Sequence, residues 1–179
     1  MNYIILAIIT IFLLYLIYFY NETTKLNNKV KEAFSTMDIY LKKRWDLIPN
    51  LVECVKAYDT HEKEIFEEIT KLRSNSYENL KSEEKININK EIISPLNKLV
   101  AVQEQYPNLK SDTNYQKLME ELTQVEDEIA NSRKFYNALV KKYNTHITIF
   151  PNNIFAKGMK YEEKKMFETE ERNNVNIKI

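Results

Sequence analysis

Residues 44–52 read RWDLIPNLV, and whether the chain turns there decides the fold. Pro49 disfavours helical geometry at Ile48 and lacks the N–H that a helix interior uses, while Asp46 is a candidate cap for a new helix. Upstream, Leu26, Val30, Ala33, Met37 and Tyr40 recur in steps of four and three, and the same seam then meets Arg44. Downstream, Leu51, Val55, Tyr58, Ile65, Ile69 and Leu72 resume the spacing, with Glu62 falling on the seam between Tyr58 and Ile65. The choice lies between an antiparallel hairpin turning near Pro49 and one long helix kinked at the proline. Near-equal flanks of about 26 residues each favour the hairpin.

Further upstream, YIILAIITIFLLYLIYFY at residues 3–20 is broken only by Thr10. As a helix it is roughly 27 Å long, close to the hydrocarbon thickness of a bilayer. Its many isoleucines would equally suit a strand, but a lone strand in lipid leaves its backbone groups unsatisfied. Tyr15, Tyr18 and Tyr20 crowd one end, where amphipathic rings sit at headgroup level. A cleaved signal would need a basic start and a small-residue site, and Tyr18-Phe19-Tyr20-Asn21-Glu22 offers none. Lys25, Lys29 and Lys31 follow the run and no cation precedes it. This bias leaves the short N-terminus outside and puts the domain on the cytoplasmic side of a cell membrane, with Tyr3–Tyr20 in the lipid bilayer.

Past Arg73 the apolar period stops, and Ser74–Lys90 reads as the longest loop. Ile92, Leu96, Leu99 and Gln103 mark a third helix, opened or kinked by Ser94-Pro95 and closed by Tyr106-Pro107-Asn108. A fourth, from Ser111 to His146, has the clearest seam: Tyr115, Leu118, Leu122, Val125, Ile129, Ser132, Tyr136, Leu139 and Tyr143. One glycine, Gly158, and four prolines cannot supply the turns of a sheet protein. The expected fold is all-α: an N-terminal transmembrane helix continuing into an antiparallel up-and-down four-helix bundle with a short C-terminal segment. The boundaries are 1–21 for the anchor, 22–148 for the bundle, and 149–179 for an amphipathic piece and an extended tail ending in Val175, Ile177 and Ile179.

Chemistry is harder to find. Acidic and basic residues balance at 26 each, which removes the electrostatic case for nucleic acid. The single cysteine, Cys54, excludes an intramolecular disulfide and lies in a helical apolar pattern that suits buried filler. His61-Glu62 lacks the second histidine of a zinc helix, since Ile65 stands there, and His146 falls far from His61 along a bundle. There is no glycine-rich phosphate loop and no nucleophile elbow. Neither a cofactor nor enzyme activity is expected.

Several of these stretches together resemble the LemA family over nearly the whole length. They are the anchor followed by Tyr20-Asn21; Arg44-x-Asp46-Leu47-Ile48-Pro49-Asn50-Leu51-Val52; His61-Glu62 with Arg73 eleven residues on; and Tyr106-Pro107-Asn108-Leu109-Lys110. Arg133-x-x-Tyr136-Asn137, Tyr143-Asn144, Phe150-Pro151 and the segment holding Gly158 and Phe167 complete the set. The resemblance implies an N-terminal transmembrane helix with a helical bundle behind it, and it implies no reaction. Met159-Lys160 departs from the aromatic that commonly follows the family's glycine.

The polar seam residues Arg44, Glu62 and Ser132 fit a structural role that fixes register, and a charged one must find a partner. The paired steps Tyr136-Asn137 and Tyr143-Asn144, one heptad apart, are expected to make hydrogen bonds between helices. Two functions follow: a membrane-tethered module that docks an unidentified protein partner, or a small-ligand sensor or enzyme with an inter-helix pocket. The first is preferred. Lys141, Lys142, Tyr143, Ile147, Ile149 and Phe150, then Phe155, Lys157, Lys160, Tyr161, Lys164 and Lys165, combine apolar anchors with cations suited to headgroups, but Glu162, Glu163, Glu168, Glu170 and Glu171 tip the balance toward a cap on the bundle core.

Overall fold

The computed structural model describes residues 2–58, 63–74 and 76–167. The pair His61-Glu62 and the tail at 175–179 lie outside them. Among the described residues there are seven α-helices and no strand. Helix α1 (Asn2–Lys56) is followed by α2 (Lys63–Leu72), a 3-10 turn at Tyr77–Asn79, α3 (Ser82–Glu91) and α4 (Ile93–Ala101). After α5 (Pro107–Lys110) come the long α6 (Thr113–Thr148) and α7 (Asn152–Gly158).

The hairpin expected at Pro49 is absent: α1 runs unbroken past it to Lys56, and Asp46 is a mid-helix residue, not a cap. The burial pattern shows why continuation is favourable. Met37, Leu41, Arg44, Ile48, Leu51 and Val55 are all buried, in steps of four and three that keep phase across the proline. A proline inside a helix costs about 3 kcal/mol, much of it for the missing bond to the carbonyl four residues back. That carbonyl belongs to Trp45, and it accepts a hydrogen bond from the Arg73 guanidinium instead. A charge-assisted bond of this kind contributes about 1.5–3 kcal/mol, enough to offset most of the penalty.

The expected loop at 74–90 is also largely helical, because α3 occupies 82–91. Its sequence hid this: only Ile86 and Asn89 are buried, and the N-terminal turn is held by Glu84 accepting from the Lys81 N–H at 2.6 Å. Pro107 opens α5 at its first turn, where its missing N–H costs nothing, and does not close the preceding helix. Asp112 caps α6 by accepting from the N–H groups of Asn114 and Tyr115 at 2.8 and 2.9 Å.

Two compact units emerge. Met1–Met37 with Asn131–Phe167 forms the first, and Asp38–Ala130 the second. In the first, α1 and α6 run antiparallel: Phe34 meets Tyr136 with ring centroids 5.9 Å apart, and Thr23 meets His146. Through a cis Phe150-Pro151 bond the chain then enters α7, and 161–167 carries no regular secondary structure. The N-terminal part of α1 is long and apolar enough to cross a membrane, and little of it is covered by protein.

Candidate functional site

In the second unit, Arg44 is the largest fully buried side chain, and a guanidinium there must be matched. One terminal nitrogen, Nη1, donates to both oxygens of Glu126 at 3.0 and 3.2 Å. The other, Nη2, donates to the Asn89 carbonyl at 2.9 Å and to Asn89 Oδ1 at 2.8 Å. Only Nε has no acceptor. The carboxylate that a charge on this seam requires is thus Glu126, whose own side chain is 40% exposed while Arg44 is 1% exposed.

The network continues from Asn89, which is itself buried and donates to the Lys85 carbonyl at 2.8 Å and to the Tyr77 hydroxyl at 3.3 Å. Tyr77 in turn donates to Asp38 at 2.8 Å, and the other Asp38 oxygen takes Lys85 at 2.6 Å. Burial, then the bond to Asp38, pushes the Tyr77 phenol far above its ordinary range, so it acts as a fixed donor and not as a titrating group. Trp45 packs on Tyr77 at 5.4 Å, and the Arg73 guanidinium lies 4.6 Å from the Trp45 ring centre. Burial pulls the Arg73 guanidinium down from its usual value.

A groove of about 630 Å³ in this unit is lined by Asn50, Glu53, Cys54, Tyr58, Asp112 and Asn114, among others. Tyr58 donates to Asp112 at 2.9 Å, and the backbone N–H of Tyr115, helped by Tyr58, holds the Asp112 carboxyl below the usual carboxylate range. Burial pushes the Cys54 thiol up, away from the thiolate a nucleophile needs. Asp46 makes an exposed ion pair with Lys42 at 3.2 Å. Among the described residues, no cluster of His, Cys, Asp and Glu is arranged to hold a metal ion.

The first unit shows a different device. Asn137 donates to the Phe167 carbonyl at 2.9 Å and accepts from the Phe167 N–H at 2.8 Å. Asn144 repeats this on Lys164, at 2.8 and 2.9 Å. Seven helical residues advance about 10.5 Å, and three extended ones about 10 Å, so amides one heptad apart match backbone groups three residues apart. The bonds expected between helices are made instead to this segment, running antiparallel to α6. Tyr136 donates to the Lys165 carbonyl at 3.1 Å, Arg133 lies 4.7 Å from the Phe167 ring centre, and Lys164 sits 5.1 Å from that of Tyr143.

Sequence reasoning missed Asn89, Tyr77 and Asp38 in the second unit, and Thr23, His146 and Asn152 in the first. Thr23 is fully buried and donates to the Phe19 carbonyl at 2.7 Å, so its oxygen accepts from His146 Nε2 at 3.1 Å. Asn152 donates to His146 Nδ1 at 3.3 Å and to the His146 carbonyl at 2.8 Å. Through these contacts His146 ties α6 to Thr23 on α1 and to Asn152 at the start of α7. A heptad count that asked which polar residues fall on apolar positions would have flagged Asn89 and Thr23.

The LemA family profile matches residues 33–179. Protein LemA of Metamycoplasma hominis is 26% identical over 178 residues, covering 98% of this chain and 81% of that protein. Magnetosome protein MamQ 2 of Paramagnetospirillum magneticum is 44% identical over 61 residues, a match that spans 34% of this chain and only 22% of that protein. Magnetosome protein MamQ of Magnetospirillum gryphiswaldense is 39% identical over a stretch of the same length. With more than three quarters of its length matched by the profile, this chain belongs to the LemA family.

Proposed function

We propose that this protein is a non-enzymatic scaffold, a helical bundle anchored in the cell membrane by residues 3–20, with its short N-terminus outside and its domain presented to a protein partner in the cytoplasm. The observation that carries this reading is where the motif residues direct their bonds. Arg44, Arg73, Asn137 and Asn144 all donate to main-chain carbonyls of this chain, so their polar capacity holds the fold and is not turned toward a substrate. The apolar run at the start of α1 and the cations Lys25, Lys29 and Lys31 beyond it support the membrane placement and its direction. Ile39 and Phe135, 58% and 59% exposed, are apolar positions at which contact with a partner can be probed.

A photo-crosslinking amino acid placed singly at Ile39 and Phe135 tests this in intact cells. A discrete protein adduct at one of these positions, abolished by a charged residue one helical turn away, is the expected result. Absence of any adduct at both, with normal membrane recovery, overturns the scaffold reading. Protease added to cells with a single membrane leaves the domain intact if it is cytoplasmic; cleavage without lysis reverses the orientation.

A further inference from the structure

We infer that α7 and the corner before it are a second lipid-immersed element, lying in the bilayer alongside the N-terminal part of α1, and that their uncovered face is made for acyl chains. The inference rests on the membrane placement proposed above. Its starting point is Phe155, whose ring centre is 5.9 Å from that of Phe12, 5.7 Å from Tyr15 and 5.8 Å from Phe19. These are successive turns of one face of the apolar run. Phe12 lies eight residues before Tyr20, about 12 Å along the helix, so whatever packs on Phe12 is well inside the stretch that lipid must cover. Asn152 adds a polar tie, accepting from the Tyr15 hydroxyl at 2.5 Å.

The outward side chains point the same way. Ile149, Phe150, Ile154 and Met159 are 49%, 79%, 59% and 43% exposed, large apolar groups within eleven residues. From Ile149 to Ala156 the chain reads IFPNNIFA without one charge, bracketed by Lys141 and Lys142 before it and by Lys157 and Lys160 after it, while Glu162 and Glu163 fall beyond Lys160, outside the uncharged stretch. Lysines so placed carry their ammonium groups to the headgroups while their stems stay in the apolar layer. Exposed apolar surface on α1 from Tyr3 to Tyr20 is continuous with this patch through the Phe12–Phe155 contact, so what covers the one covers the other.

Polar groups at this depth are best satisfied within the protein, and those that follow are, whereas Asn153 Oδ1 is buried without a hydrogen-bond partner. Asn153 and Ile154 donate their N–H groups to Ile149 and Pro151, Met159 and Lys160 to Phe155 and Lys157, and Tyr161 to Ala156. Pro151 has no N–H to satisfy. The Asn152 amide is taken up by Tyr15 and His146.

The test uses the full chain with Cys54→Ser, reconstituted in vesicles of phosphatidylcholine and phosphatidylglycerol. Single cysteines at Ile5, Phe135, Phe150 and Ile154 carry nitroxide labels. Collision with oxygen, which concentrates in the bilayer, is compared with collision with a water-soluble nickel chelate. Labels at Phe150 and Ile154 should favour oxygen severalfold, as the label at Ile5 does, whereas the label at Phe135 favours nickel. If Ile5 favours oxygen while Phe150 and Ile154 behave like Phe135, the inference falls and the anchor stands. A nickel-favouring label at Ile5 overturns the membrane placement itself. Low collision with both reagents at Phe150 and Ile154, with spin–spin broadening, overturns the lipid assignment in favour of a second copy of this chain. Phe150 and Ile154 are exposed, and unchanged helical circular dichroism establishes that each labelled chain is folded.

Discussion

Arg44 and Asn137 each reach from a long helix to the main chain of a distant segment, but one brings a charge and the other brings none. Arg44 engages the Asn89 carbonyl and Glu126, and because it is buried with a net charge, every neighbour must be arranged around it. Asn137, like Asn144, offers a donor and an acceptor to one backbone residue, as a neighbouring strand would. The charged device is costly to break from either side, but not equally so. The neutral device is modular, and losing it frees one segment.

The asymmetry of the charged device gives the largest expected effect. Glu126→Ala leaves a guanidinium 1% exposed without its carboxylate, and losing one partner of a buried pair costs about 3–5 kcal/mol. Arg44→Met leaves Glu126, already 40% exposed, free to hydrate, and orphans the acceptors of Asn89 at about 1–3 kcal/mol. Urea unfolding of the full chain in detergent, followed by circular dichroism, should rank the two in that order. The reverse ranking would show that the charge is not effectively buried.

Next is the link between Pro49 and Arg73. Arg73→Ala should cost about 1.5–3 kcal/mol in the native background, because the Trp45 carbonyl loses a charge-assisted bond. In the Pro49→Ala background the restored N–H supplies that bond, so the same change should cost measurably less. Additive losses in the double-mutant cycle would disconnect the two residues.

A smaller and more local effect belongs to the amide ladder. With neutral bonds at ~0.5–1.5 kcal/mol each, the combined Asn137→Ala and Asn144→Ala variant should release residues 161–167. Trypsin should then cut faster at Lys164 and Lys165, with the unfolding of α1 and α6 little changed. Equal protection in variant and native chain would mean that Tyr136, Tyr143 and Arg133 hold the segment without the amides.

The smallest effect concerns Asp112, whose carboxyl lies below its ordinary value in the folded chain because it accepts from Tyr115 and Tyr58. A depressed carboxylate contributes stability that is complete above the unfolded value, about 4, and is lost as pH falls through the lower folded value. Asp112→Asn keeps a capping acceptor but removes this slope, so the stability of the variant should be flatter with pH in acid.

The helical class, the apolar first stretch and the α6 seam were legible because each rests on periodicity, which local sequence records. Pro49 misled because its missing bond is replaced by Arg73, twenty-four residues on, and no local rule sees that far. The corrective signal was nevertheless present: Ile48, Leu51 and Val55 keep phase with Arg44, and a turn would have had no reason to preserve it. Arg44 could be recognised as needing a carboxylate, though not which one. The partners of Asn137 and Asn144 were illegible for a different reason. They are main-chain groups, which every residue possesses, so nothing in the sequence of 164–167 marks it as the ligand.

The stripe of α1 that meets Phe155 at Phe12, Tyr15 and Phe19 passes through Thr23 and continues into Leu26, Val30, Ala33 and Met37 without losing step. A helix turns by about 100° per residue, so this continuity fixes an angular setting. The apolar run cannot rotate about its own axis independently of the chain beyond it. One extra residue between Tyr20 and Asn21 would swing Phe12 and Tyr15 about a quarter-turn away from α7, whereas four would bring them almost back into alignment, displaced by about 6 Å along the axis. The apolar end of this protein is therefore keyed, like a shaft with a flat, and length changes there act with the period of a helix turn.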